Sequence, residues 1–178
     1  MGKATQDLRK EHKSILYVLE IVDKMISSDS KKDIEKIKYY DELIYFLKVF
    51  ADKCHHGKEE NFLFEELVNA TLLKDGGPIG VMLKEHAEGR EYIALMDEAI
   101  KDRNLARFNV NAIKYSQLLK NHITKEDNVL FQLADELLDD KKQEQLFERF
   151  EQYEERVIGH GVHEKLHAMI HRWAEDFK

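Results

Sequence analysis

His55–Phe64 reads HHGKEENFLF, and His122–Phe131 reads HITKEDNVLF. Aligned, the two stretches share a leading histidine, a Lys followed by Glu, an asparagine and a closing Leu-Phe. In each, a histidine stands four residues before a glutamate, so on an α-helix the two side chains share one face. Leu63 and Phe64, and Leu130 and Phe131, follow at core spacing, which makes that face the apolar one as well. A shorter element is also duplicated: KEH occurs at Lys10–His12 and at Lys84–His86. The chain therefore runs KEH, HxxKE, KEH, HxxKE, as two similar halves.

The rest of the sequence gives those motifs their setting. Proline occurs once, at Pro78, and no stretch sustains the apolar–polar alternation of a strand, which predicts an all-α chain. A first helix is expected from about Thr5 to Ser27, with Leu8, Ile15, Leu19, Val22 and Ile26 along one stripe. A second is expected from about Lys31 to Leu72, capped by Asp29 or Ser30 and bent near Gly57. KDGGP stops it, and Pro78 opens a third helix reaching about Lys101, in the first turn where its missing N–H is harmless. A fourth is expected from about Leu105 to Leu138, a fifth from about Lys141 to Ile158 and a sixth from Val162 to Phe177. Four long helices with short connections predict an antiparallel up-down-up-down four-helix bundle over about 5–138. Two shorter C-terminal helices, about 141–177, form an appendage packed on it, within one domain spanning 1–178. In the fifth helix, Leu146, Phe147, Phe150 and Tyr153 form a docking face, and in the sixth Trp173 is a packing anchor.

Composition excludes several functions. A net charge of −7 argues against a nucleic-acid partner, which requires a basic face. No apolar run approaches the roughly 18 residues needed to cross a bilayer. The polar N-terminus lacks an apolar signal region, so a cytoplasmic location is expected. The single cysteine, Cys54, rules out an internal disulfide and a cysteine-based zinc or iron–sulfur site, and is expected to pack as a small core residue.

The histidines carry the chemistry. His12, His55, His86 and His122 place one imidazole on each of the four long helices, and Glu59 and Glu126 add a carboxylate from two of them. Two ionised glutamates facing a bundle core would each cost several kcal/mol uncompensated, against a domain stability of about 5–15 kcal/mol. No lysine or arginine occupies an obviously inward position beside them, and a pair of divalent cations would balance them directly. Imidazole and carboxylate without thiolate suit iron or manganese, and structural zinc less well. Two carboxylates shared between helix pairs suit a bridged two-metal centre.

The series KEH…HHGKEENFLF…GPIGVMLKEHAEGR…NHITKEDNVLF, from about Thr5 to Leu138, resembles the hemerythrin-like (HHE cation-binding) family. The resemblance implies a non-heme di-iron site that binds O2 or another small diatomic ligand, with a bridging oxo or hydroxo group and Mn or Zn as substitutes. Carried over residue by residue, the ligands are His12, His55, His86 and His122, with Glu59 and Glu126 bridging. By register against the second copy, His55 and Glu59 are preferred to His56 and Glu60, which are read as neighbours supporting the site, with a ligand role of their own as the alternative. One position departs from the pattern. Where oxygen-carrying hemerythrins have a further histidine one turn after that of the third helix, this chain has Arg90.

The C-terminal segment GHGVHEKLHAMIH offers replacements. His163, His167 and His171 share one helical face, and His163 or His167 would reach a metal if the last helix folded over the open end of the bundle. The plainer alternative is a polar surface stripe. Tyr17, Tyr39, Tyr40, Tyr45 and Tyr92 occupy helical positions, and any of them close to the site would donate a hydrogen bond to bound oxygen. Three functions compete: O2 storage, delivery or sensing; a redox enzyme for peroxide or nitric oxide, or iron–sulfur cluster repair, with an unidentified redox partner; and an iron sensor.

Overall fold

In a computed structural model describing residues 1–178, the chain forms six continuous helical rods and no strand. They are α1 (Lys3–Ser27), α2 (33–69), α3 (Pro78–Lys101), α4 (105–137), α5 (140–158) and α6 (Val162–Asp176). Sequence chemistry sets most of the boundaries. Pro78 occupies the first turn of α3, while the Asn104 side chain accepts from Arg107 N at the start of α4, and Asp139 does the same from Lys142 N for α5. The start of α2 differs from expectation. Neither Asp29 nor Ser30 caps it; the helix opens at Asp33, and Glu35 reaches back to accept from Lys32 N at 2.9 Å. Between α5 and α6 the chain needs φ of +103° at Gly159 and +79° at Gly161, a region side chains with a Cβ avoid.

Three of the rods are not uniform α-helix; α5 ends in a wide turn over Glu154–Ile158. In α2 the turns widen to i→i+5 bonding over Leu47–His56 and Glu59–Leu63, and in α4 over Glu126–Leu130. Gly57 continues the helix with φ −61° and ψ −41°. What requires glycine there is a close approach: a Cβ would lie 2.3 Å from the Tyr153 hydroxyl, which donates to Lys53 O at 2.7 Å.

Two apolar clusters fill the interior. The larger holds Ile15 to Met25 of α1, Tyr40 to Ala51 of α2, Ile93 to Ile100 of α3, Phe108 to Ile123 of α4, and Leu166 to Phe177. The smaller holds Ala4 and Leu8, Leu63 to Leu67, Ile79 and Met82, Leu130 to Leu138, and Leu146 and Phe150 of α5. Each of the first four helices crosses from one cluster to the other, in alternating order along the chain. At the crossing lies a layer of buried polar side chains: Glu11, His12, His55, His56, Lys58, Glu59, His86, His122 and Glu126.

The last two helices pack on the first four, with Phe147 of the expected docking face left half-buried beneath the Lys3 ammonium. Leu146, Phe150 and Tyr153 are buried, and Gln143 Oε1 accepts from Ala4 N and Thr5 N, closing the first turn of α1. Trp173 is fully buried, edge-on to Phe46, with Nε1 donating to Glu42 at 2.9 Å. No helix is long and apolar enough to cross a membrane.

Candidate metal centre

His55 and Glu59 lie on one face of α2, and His122 and Glu126 on one face of α4, as four-residue spacing dictates. His12 and His86 enter from α1 and α3 at the same level. All six side chains are essentially inaccessible to solvent. Glu59 Oε1 lies 3.3 Å from His55 Nε2 and its Oε2 lies 3.2 Å from His86 Nε2. Glu126 mirrors this arrangement, with Oε1 3.1 Å from His122 Nε2 and Oε2 3.0 Å from His12 Nε2. Each carboxylate thus offers one oxygen to an imidazole of its own helix pair and the other to an imidazole of the opposite pair.

A second ring of carboxylates fixes the imidazoles from outside. His12 Nδ1 lies 2.8 Å from Asp127, His55 Nδ1 2.7 Å from Glu11, His86 Nδ1 2.8 Å from Glu60 and His122 Nδ1 2.8 Å from Glu85. An ionised carboxylate only accepts, so each Nδ1 carries the donated proton; in the neutral ring each Nε2 then turns a lone pair inward, and in the protonated ring it donates to Glu59 or Glu126. With the rings neutral, four lone pairs converge on two carboxylates, and the Nε2 atoms of His86 and His122 stand only 3.1 Å apart. His55 Nε2, both oxygens of Glu59 and Glu126 Oε1 are buried without a hydrogen-bond partner. Buried polar atoms in folded proteins are otherwise nearly always partnered. Acceptors facing acceptors call for a cation, and imidazole nitrogens backed by carboxylates are a common support for metal ligands.

The basic side chains stay out of this centre. Lys58 is buried, but its Nζ bonds Glu11 at 2.6 Å, Asp7 at 3.1 Å and Glu154 at 3.2 Å. Arg90 pairs with Asp52 and Glu60, and Lys125 with Glu85. Electrostatics follow from the mutual pairing. Burial opposes the charge on Glu59 and Glu126, yet the surrounding imidazoles hold Glu59 down to about 2 and Glu126 well below the usual carboxylate range. Burial likewise opposes charge on His55, and Glu59 and Glu11 outweigh it, raising it to about 10. A divalent cation competes with those protons for the same atoms.

The geometry gathers four-donor groups around two points, with donor atoms within 4.8 Å of one another. One is His12, His55, Glu59 and Glu126; the other is His56, Glu59, His86 and His122. All six inner residues expected from the sequence are there. His163 and His167 are elsewhere, because α6 lays Leu166, Met169, Ile170 and Trp173 inward instead of closing over the bundle end. His163 Nε2 lies 2.8 Å from Glu154 in a separate cluster with Glu11 and Cys54, and His167 is on the surface. The surface-stripe alternative describes His167 and His171.

Sequence reasoning ranked His56 below His55 as a ligand, and the structure buries it stacked on His86 at 3.8 Å. The signal was the His55–His56 doublet together with the arginine at position 90. It also missed the cross-pairing of the outer carboxylates: Glu11, beside His12 in the chain, serves His55, and Glu85, beside His86, serves His122. None of the five tyrosines considered touches an inner donor; Tyr40, for instance, stacks on Phe108 in the larger apolar cluster. Cys54 is buried as expected, and its thiol donates to Glu154 at 3.1 Å.

The family model described as the Hemerythrin HHE cation binding domain matches residues 3–134, most of the chain and all four helices of the site. No curated protein and no solved structure matches.

Proposed function

The chain belongs to the hemerythrin HHE cation-binding family, and from that premise we propose that it holds two iron ions in a bridged His/Glu centre and binds O2 there reversibly, for storage, delivery or sensing. The observation that carries this reading is the pairing of inner acceptors: two fully buried carboxylates, each facing imidazole Nε2 atoms of both helix pairs, with unpartnered oxygens between them. His12 and His55 would hold one ion and His86 and His122 the other, with Glu59 and Glu126 shared. The alternating order in which α1 to α4 cross the two apolar clusters supports an up-down-up-down course for the bundle that carries them.

Ferrous ions in such a centre supply the electrons and the coordination position that O2 requires. The protein's own contribution is arrangement. The outer carboxylates lock each ring and keep its proton at Nδ1. Phe131, stacked 5.2 Å from His12, and Phe64, stacked 5.9 Å from His86, cover the rings on the side of the smaller apolar cluster and exclude water. Neutral imidazoles outnumbering carboxylates make the centre less anionic than a four-carboxylate site, and so less biased toward the oxidised metal.

Anaerobic loading with ferrous iron, followed by titration with O2, tests the reading. Two irons per chain are expected, with an absorption band that appears on O2 addition and disappears under vacuum. Irreversible bleaching, or iron well short of two per chain, would overturn it.

A further inference from the structure

The two halves of the centre are related position by position through the sequence repeat. Glu11 serves His55 as Glu85 serves His122, and Glu60 serves His86 as Asp127 serves His12. Lys58 pairs with Glu11 as Lys125 pairs with Glu85. At three positions the correspondence fails. His56, Asp52 and Arg90 in one half align with Ile123, Leu119 and Leu16 in the other. The polar member of each pair lies beside His86 and His122. Ile123 and Leu119, its apolar counterparts, are buried in the larger cluster.

Resting on the two-metal reading above, we propose that His56 is a fifth imidazole ligand, binding through Nε2 the metal held by His86 and His122, and that Arg90 is its positioning residue, acting through Asp52. His56 is 3% exposed, both its ring nitrogens lack a hydrogen-bond partner, and its ring lies nearly parallel to that of His86. A buried imidazole whose Nε2 meets no partner, and whose Nδ1 meets only Asp52 at 3.4 Å, is an uncommon arrangement unless Nε2 has a ligand to bind. The donor atoms of His56, Glu59, His86 and His122 already fall in one group. The wide turn over Leu47–His56 reduces the angle between adjacent residues, so His55 and His56 can serve different halves of one centre.

Arg90 completes the arrangement from the rim, where it is 42% exposed. Its Nε donates to Asp52 at 2.9 and 3.1 Å, and its Nη2 donates to Glu60 at 2.8 Å. Asp52 Oδ1 in turn lies 3.4 Å from His56 Nδ1, and Glu60 bonds His86 Nδ1. One guanidinium thereby sets the carboxylates behind two neighbouring rings, a task suited to its rigid fork. Arginine at this position therefore does not remove an imidazole from the centre: the ring comes from α2, and the arginine aligns it.

Titration of the metal-free full-length chain with Co(II) tests this, read by metals bound per chain, by the affinity of each equivalent, and by the exchangeable imidazole N–H proton resonances that Co(II) shifts. Wild type is expected to bind two Co(II). His56→Leu should retain one tight site, weaken the second and lose one shifted N–H resonance. Arg90→Leu should keep every resonance, displace that of His56, and weaken the second site about ten- to a hundred-fold, as loss of support behind a ligand does. Helical circular dichroism checks folding, and if His56→Leu fails to fold, Arg90→Leu carries the reading alone, through the displacement of one resonance. Two sites and an unchanged spectrum in His56→Leu would overturn the ligand, and an unaltered Arg90→Leu would overturn the positioning role. Wild type that does not bind two metals would refute the two-metal reading itself, before either variant is compared.

Discussion

At the scale of single residues, Glu85 is next to His86 in the chain but bonds His122, 2.8 Å away on another helix. The i,i+4 partners were legible in the sequence because they need only the geometry of one helix. Which adjacent carboxylate meets which imidazole was not, because it depends on how helices face one another. The distinction has a measurable consequence. Glu85→Gln keeps the size of the side chain but removes the charge behind His122, and should weaken metal binding about ten- to a hundred-fold in equilibrium titration, leaving two sites. Glu126→Gln acts differently, since that carboxylate faces imidazoles of both halves. It should reduce the metal content measured after gel filtration to one per chain or fewer.

At the scale of elements, α6 shows how far pattern carries. Its anchor was legible in Trp173, while the inward side completed by Leu166, Met169 and Ile170 and its docking site on α2 were not. Trp173→Ala removes a fully buried side chain, and should cost about 3–5 kcal/mol in denaturant unfolding. The start of α6 is also pinned by the pair His163–Glu154. The bond to Glu154 holds His163 above its ordinary 6.5, so its contribution is complete below that pH and is lost as pH rises through the higher folded value. Burial opposes the charge on Glu154, but His163 and Lys58 bring it down to about 2, so its contribution is complete above 4.5 and fades as pH falls from there. Attachment of α6 should therefore be firmest between about pH 4.5 and 6.5. Amide hydrogen exchange across α6, corrected for intrinsic rates, checks this, and His163→Gln should abolish the weakening on the alkaline side. The wide turns of α2 and α4 are a further element-scale feature with no composition of their own. Nothing in LKVFADKCHH separates i→i+5 from i→i+4 bonding, and only the packing of Tyr153 against Gly57 and the inward turn of two successive histidines bring it out.

For the whole molecule, the order of motifs along the chain already announced that every long helix brings a polar group to a shared interior, while the two apolar clusters on either side of that layer emerge only from the packing. The position of the last two helices against the flank of the bundle, instead of over its end, depended on packing that no periodicity encodes. Such a layer makes stability depend on its ligand. Metal present at about a hundred times its dissociation constant should add about 2.7 kcal/mol to unfolding, and chelation should lower the melting temperature accordingly. The reach of Glu59 to His86 and of Glu126 to His12 carries this further. Neither hairpin owns a complete set of donors, so ions held there would act as rivets between two pieces that otherwise meet only through the apolar clusters. If the backbone were opened in the KDGGP connection, the halves should rejoin in the presence of divalent metal and drift apart once it is stripped, turning cation supply into control of assembly.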